Sequence, residues 1–442
     1  MEGYFLKKTQ LFIVLLVVLA LSASALAQKI EIVYWHAMSG LAEQAIAEQV
    51  RQFNESQDRI HIEVEYKGSY RDTLNATQAA VQTGNAPHVI QSFEISTQQL
   101  VDMGIFVPLQ QTLPAGSVDW QKFLPAVVNY YTFDGVQYSM PYNSSNAIMY
   151  YNKDVFAKAG LDPERPPATL EEVFEYSKQI VESGAAPYGM TFPLHSWFVE
   201  QWMANIGAIL VNNDNGRSGR PTEVLLTQPE VIDIFKWVSS MYDAGYYINP
   251  GVENWSQSRQ IFAAQQVGMA IDSTAAVSTK LKAGEDNGFE VGTAFIPIPA
   301  GYGRHGSTIG GGSLWVLGVH SEEEIAAAGE FVVFLSSPEI QAQWHKDTGY
   351  YPVHIDALQV LRDEGWFEAN PAYKTAVDQL FESIPSPASF GAAVGVFPEI
   401  RTIIVDALQE VFQKTKTVEQ ALADAKVRGD RAIAEYNRVM GF

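Results

Sequence analysis

Ile60-His-Ile-Glu-Val-Glu-Tyr66 alternates apolar and polar residues, with Ile60, Ile62, Val64 and Tyr66 on one side. A period of two is that of a strand with one buried face. Upstream, Ile30 to Trp35 predicts a buried strand and Leu41 to Phe53 a helix. Downstream, Tyr70 to Thr83 predicts a helix stopped by Gly84-Asn85. Pro87 leads into Val89-Ile90, a short strand ending near Glu94, and Thr97 to Met103 is a helix closed by Gly104. Strand, helix, strand, helix, strand predicts an open α/β layer with a mostly parallel sheet. Ligands in such sheets sit beyond the carboxyl ends of the strands. Trp35-His36, Tyr66 to Tyr70 and Phe93-Glu94 are therefore expected around one rim.

The rest of the chain predicts a second lobe. Gln137 to Pro141 is a short strand, Tyr142-Asn-Ser-Ser145 follows, and Ala147 to Asn152 is the next strand, the first crossing between lobes. Thr169-x-x-Glu172 is a capping box before a helix ending at Gly184. Thr191 to Gly207 reads as helical. Pro229 opens an amphipathic helix with Val231, Ile234, Phe235, Val238, Met241 and Tyr242 on one stripe. Gln260 to Gln265 is helical, and Gly268 to Asp272 is a strand leading into Ser273-Thr274 and another helix. Gly310-Gly311-Gly312 lies between the strand-like runs Phe295 to Ile298 and Leu314 to Val319. Two readings stand for it: a turn without a ligand, or a close-approach point whose N–H groups form an anion site. Ser321-x-x-Glu324, Ser337-Pro338-Glu339 and Thr417-x-x-Gln420 open three later helices. No repeat or long linker separates these parts, which predicts two lobes sharing a hinge.

The 442 residues are 47% hydrophobic and 18% charged, enough for two lobes with proper cores. A net charge of −21, with no basic run past the N-terminus, argues against nucleic acid. A local positive site can still hold an anion inside a negative molecule. Lys7-Lys8, the apolar run Leu11 to Leu21 and Ser22-Ala-Ser-Ala-Leu-Ala27 have the layout of a signal peptide, with Gln28 as the new N-terminus. Its removal leaves 27 basic and 49 acidic residues, a charge of −22. The absence of cysteine excludes disulfides, a thiol nucleophile, cysteine–zinc sites and a lipoprotein's attachment residue. A soluble exported protein is expected.

Gly301-Tyr-Gly303-Arg-His-Gly306 spells a dinucleotide fingerprint, but a glycine run and a strand follow where a helix is required. No phosphate-loop, zinc-protease or nucleophile-elbow motif occurs. The eight histidines have no ligand spacing, so no metal or cofactor is expected. With fifty acidic residues a carboxylate pair for hydrolysis stays open, but no spacing singles one out.

Ile32-Val-Tyr-Trp-His36, Tyr66-Lys-Gly-Ser-Tyr70, Thr83-Gly-Asn-Ala-Pro87 and Tyr150-Tyr-Asn-Lys-Asp154 together resemble the solute-binding proteins of ABC importers. Pro141-Tyr-Asn-Ser-Ser145, Ile309-Gly-Gly-Gly-Ser-Leu-Trp315, Trp344-His-x-x-Thr-Gly-Tyr350-x-Pro352 and Pro398-x-Ile-Arg401 are most similar to members that take glycerol 3-phosphate. The resemblance implies a two-lobed, hinge-linked periplasmic-binding-protein fold of type II. Lobe 1 is expected from 28–142 and 300–336, and lobe 2 from 143–299 and 337–442. It further implies a monomer in the periplasm, without enzymatic activity, that docks on a membrane permease and its ATPase subunits.

The family's ligand site, carried over residue by residue, falls on Tyr70, Glu94, Ser145, Ser273, Gly311, Tyr350 and Arg401. Arg401 offers a planar fork for phosphate, with the Ser145, Ser273 and Tyr350 hydroxyls and the Gly311 N–H completing the shell. Glu94, acceptor-only when ionised, suits the glycerol hydroxyls, and Tyr70 lies along the glycerol. Trp197 and Trp202 are either ligand-stacking or core residues. Where members often carry Trp after Pro166-Pro167, this chain reads Ala168-Thr169-Leu170, and a smaller Leu170 implies room for a glycerophosphodiester such as glycerophosphocholine. Two other functions compete: a binder of neutral sugars, and a secreted hydrolase.

Overall fold

The computed structural model describes residues 29–442, and the expected signal peptide lies outside them. Ile30–His36 (β1), Ile60–Tyr66 (β2) and Val89–Phe93 (β3) form three parallel strands, with helices Leu41–Ser56 and Tyr70–Thr83 between them. Ile60 and Ile62 are buried while His61 and Glu63 are exposed, as the alternation requires. Ser69 caps the second helix by accepting from the Asp72 N–H, and Gly84 ends it in the left-handed region. Two more strands, Met140–Ser145 (β6) and Gly310–Val316 (β12), complete a sheet of order β2-β1-β3-β12-β6, with β12 antiparallel to both neighbours. A two-strand hairpin, Thr132–Phe133 (β4) with Val136–Gln137 (β5), precedes β6.

Asn146 alone separates β6 from Ala147–Asn152 (β7), which belongs to a second sheet. That sheet has the order β11-β7-β10-β8-β9, with Tyr188–Thr191 (β8), Tyr247–Ile248 (β9), Val267–Ser273 (β10) and Val291–Phe295 (β11). Here β8, β9 and β10 run parallel, and β7 is antiparallel to β10 and β11. Asn146 is fully buried: its carbonyl accepts from the Thr274 N–H at 2.9 Å, and its amide donates to the Ala376 carbonyl at 3.3 Å. The chain thus passes between sheets through one residue whose carbonyl and side-chain amide are both tied to second-lobe segments.

Three expectations change. The glycine run is not a turn between strands but the first part of β12, a strand with neighbours on both sides. Pro141 to Ser145 is strand as well, since it pairs with those glycines. The division at 336/337 does not follow the packing. Helices Pro338–Thr348 and Ile355–Asp363 pack on each other and the former on Leu41–Ser56, and Trp344, Tyr351 and Leu358 share a core with Ile32 and Tyr34 of the first sheet. The reason is apolar burial: Trp344 has no exposed surface and stacks on Tyr142 at 4.9 Å. The chain reaches the second sheet again with helix Pro371–Phe381, whose Tyr373 packs with Ile148 and Tyr150. Helices Phe397–Phe412 and Val418–Met440 close the second lobe against Pro229–Asp243.

Candidate functional site

The carboxyl ends of β1, β2 and β3 and those of β8, β9 and β10 face one cleft between the sheets. Its volume is about 540 Å³, and Tyr70, Glu94, Ser145, Ser273, Gly311, Tyr350 and Arg401 all line it. Residues spread over more than three hundred positions thus meet where open α/β sheets take ligands. Volumes of about 300–1,000 Å³ are usual for small-molecule sites. Of the expected rim, Ser69, Tyr70, Phe93 and Glu94 reach the cleft. Trp35 and His36 turn inward and are buried.

Each side chain is placed by its element. Ser145 ends β6 and pairs with Gly310, while Gly311 pairs with Ser144. Gly311 has φ +98°, and a Cβ there would lie 1.9 Å from the Asn143 carbonyl oxygen. Only glycine fits that left-handed position and spacing. Beside it, the Trp197 ring lies so close to Gly310 that a Cβ would meet it at 2.6 Å. What approaches the glycine backbone is therefore, first, the protein itself. Tyr70 stacks on Phe93 with ring centroids 5.5 Å apart, and its hydroxyl accepts from the Asn143 amide at 2.7 Å. Tyr350 stacks on Trp344, and its hydroxyl reaches the Met38 sulfur at 3.7 Å. Burial raises the pKa of both phenols, so they enter the site as neutral hydroxyls.

Arg401 departs from the expected phosphate shell. Its Nε and Nη2 donate to the Glu200 carboxylate at 2.8 and 2.7 Å, and Nη2 donates to Glu94 at 2.5 Å. The expected separation of a cationic end from an acidic end at these two residues does not hold, because guanidinium and carboxylate satisfy each other. Burial opposes the Arg401 charge, but Glu200 and Glu94 outweigh it and raise its pKa. The Glu94 carboxyl is pushed up by burial, with Arg401 pulling the other way. Glu94 precedes a helix in the first lobe, while Glu200 and Arg401 lie on helices Ser196–Asn205 and Phe397–Phe412 of the second, so the cluster spans the lobes.

The second lobe carries another ionic cluster at the cleft that sequence reasoning missed. Asp272, fully buried at the end of β10, accepts from Arg259 Nε at 3.0 Å and Nη2 at 3.2 Å. Lys280 Nζ lies 3.5 Å from the same carboxylate. Burial raises the Asp272 pKa, but Arg259 and Lys280 win and hold it below the ordinary value. Burial pushes the Lys280 amine down to about 8, against the pull of Asp272. Arg259 and Trp255 line the cleft from helix Trp255–Ala263, one turn apart. The signal for them was available: they follow shortly after the carboxyl end of β9 at an i,i+4 spacing.

Trp197 is on the cleft wall, whereas Trp202 is fully buried and packs edge-on against Phe192 and Trp237. Leu170 does not reach the cleft. It is buried in the second lobe, donating its N–H to the Ile298 carbonyl and accepting from Trp237 Nε1. The room expected beside a phosphate is not made by Leu170, because its side chain packs with Val173 into the lobe's own core. Despite their scattered spacing, His88 and His320 stack at 3.9 Å with Glu324 near them. His88 Nδ1 accepts the Val33 N–H at 2.9 Å, so its Nε2 carries the proton and has no lone pair for a metal.

Residues 48–375 match the family described as bacterial extracellular solute-binding protein. The chain is 34% identical over 409 residues to the sn-glycerol-3-phosphate-binding periplasmic protein UgpB of Rhizobium meliloti, covering 91% of this chain and 94% of that one. It is 30% identical over 427 residues to the protein of the same name from Salmonella typhimurium, covering 95% and 96%. Among solved structures, UgpB from Mycobacterium tuberculosis in complex with glycerophosphocholine superposes with a TM-score of 0.78 at 20% identity, over 92% of this chain and 99% of that one. The sugar-binding protein MalE from Xanthomonas citri gives 0.75 at 19% identity, over 93% and 99%. Likeness at that level of identity concerns the fold: two lobes of the periplasmic-binding type.

Proposed function

The chain belongs to the bacterial extracellular solute-binding proteins, and on that footing we propose that it captures glycerol 3-phosphate or its diesters for an ABC importer. The observation that carries this reading is the meeting of all seven carried-over positions on one interlobe cleft. Its relatives of 30–34% identity over nine-tenths of the chain bear the same name. The protein works in the periplasm after cleavage behind Ala27, and hands its ligand to a permease with ATPase subunits. The family is a binding class, and no covalent step is assigned here. Capture proceeds by closure of the lobes, which excludes water and strengthens each polar contact. Both phosphorylated forms stay within the proposal, since Leu170 is buried in the core and sets no preference for a diester.

One observation favours a second reading. Tyr70, Trp197, Trp255 and Tyr350 all line the cleft, and aromatic faces suit a neutral sugar. Calorimetric titration with glycerol 3-phosphate, glycerophosphocholine and maltose separates the two. Heat from a phosphorylated glycerol and none from maltose is the expected result. The reverse pattern replaces the proposal by the sugar reading.

A further inference from the structure

The two ionic clusters beside the cleft have opposite net charge. Arg401 is shared by Glu94 and Glu200, one cation against two carboxylates. Asp272 is shared by Arg259 and Lys280, one carboxylate against two cations. An anion entering the cleft is therefore repelled by the first and attracted by the second, and burial keeps both fields from being screened. The remaining charges on the wall, Arg71 and Glu253, are exposed and opposite in sign, so they decide little.

The second cluster also has the donors. Arg259 keeps about a third of its side-chain surface open (32%), and its Nη1 makes no hydrogen bond among the described residues. The guanidinium is thus held by Nε and Nη2 while one end stays free, a pre-organised fork. Ser273 follows Asp272 directly. Its Oγ accepts from the Ala275 N–H at 3.2 Å, which leaves its own O–H to donate. Ser273 pairs in register with Ala147, two residues beyond Ser145, which pairs with Gly310. Lys280 stands behind them, 1% exposed and without a hydrogen-bond partner among the described residues, adding charge but no contact. Arg401 spends the same two nitrogens, Nε and Nη2, on two carboxylates instead of one, and its side chain is only 8% exposed, so it offers a ligand neither net positive charge nor open surface.

We propose that Arg259 is the anion-anchoring residue of this cleft, with Ser273 beside it and Lys280 behind it. Arg401 serves instead as the charge bridge between lobes, and its end of the cleft, through Glu94, receives the ligand's hydroxyls. This assignment rests on the phosphorylated-glycerol reading and fixes the direction in which such a ligand lies.

The test is calorimetric titration of the purified protein with glycerol 3-phosphate, for the wild type, R259Q and R259K. R259Q is expected to weaken binding about 30-fold or more, because a charge-assisted donor is lost from a desolvated site. R259K recovers part of the loss, since a point charge replaces the fork. With glycerophosphocholine the R259Q loss is smaller, because a phosphodiester carries less negative charge. R259Q leaves Asp272 beside Lys280, so no carboxylate is stranded. Should it still unfold, R259Q/D272N/K280M removes all three members of the cluster, leaves no buried charge unpaired and is read in the same way. A folded R259Q or R259Q/D272N/K280M that binds glycerol 3-phosphate like the wild type overturns the assignment while the capture function stands. A wild type that binds neither phosphorylated glycerol overturns the capture function itself.

Discussion

At the scale of single residues, Arg401 shows how context rewrites a role. Taken alone, an arginine in a phosphate-binding pattern is a phosphate fork. In the folded protein it neutralises two buried carboxylates, Glu94 and Glu200. Arg401→Ala would strand both, and removing one partner of a buried ion pair costs about 3–5 kcal/mol. A lowered urea midpoint for Arg401→Ala, with the loss partly restored in Arg401→Ala/Glu200→Gln, is the expected outcome. An unchanged midpoint for Arg401→Ala would mean that the cluster does not hold the structure. Lys280 gives a pH signature. Burial holds its folded pKa at about 8, below the ordinary 10.5. Between these values the unfolded chain binds more protons than the folded one, so stability rises with pH through that window. The cost of the buried charge, about 3 kcal/mol, is fully present below pH 8. Urea midpoints measured from pH 7.5 to 10 should climb more in the wild type than in Lys280→Met. Equal slopes would show that Lys280 is not the titrating group.

At the scale of elements, the local signals were plain where one residue type admits one geometry. Ser321 accepts from the Glu324 N–H, and Glu324 accepts from the Ser321 N–H at 2.9 Å, the reciprocal box that the sequence predicts. Ser321→Ala should cost about 1 kcal/mol in a urea titration. At Thr169 the box is incomplete: the Glu172 carboxylate accepts instead from the Ala168 N–H at 2.8 Å. The glycine run misled because local sequence cannot tell a turn from a strand whose neighbours press on its backbone. Its place in β12 follows from β3 and β6 pairing on either side. Gly311→Ala is the sharper test of that strand. A Cβ 1.9 Å from the Asn143 oxygen at φ +98° combines a clash with a strained backbone. Strain of this kind alone costs about 1–3 kcal/mol, so loss of ligand binding together with a clearly lower unfolding midpoint is expected.

At the scale of the whole molecule, two ion pairs cross between the lobes, Glu94 with Arg401 at the cleft and Asp102 with Arg220 away from it. Glu94→Ala leaves Arg401 paired with Glu200 inside the second lobe, so it loosens the contact without stranding a charge. Small-angle scattering of the ligand-free variant should give a larger radius of gyration than the wild type. An identical radius would mean that other contacts set the closure. The single-residue passage at Asn146 fits such motion, since one residue separates a strand of each sheet.

What the amino-acid order determined by itself was the sequence of elements and the kind of sheet, because strand alternation, helix caps and glycine stops act over a few residues. It also carried, through ordered short motifs, the positions from Tyr70 to Arg401 that converge on the cleft. Only the tertiary structure decided which charges remain free there. Glu94, Glu200 and Arg401 come from three separate segments, as the 259–280 cluster joins a helix, a strand and the helix after it. Whether a charge is spent or available depends on distances of a few ångströms between such segments, and no local pattern encodes them.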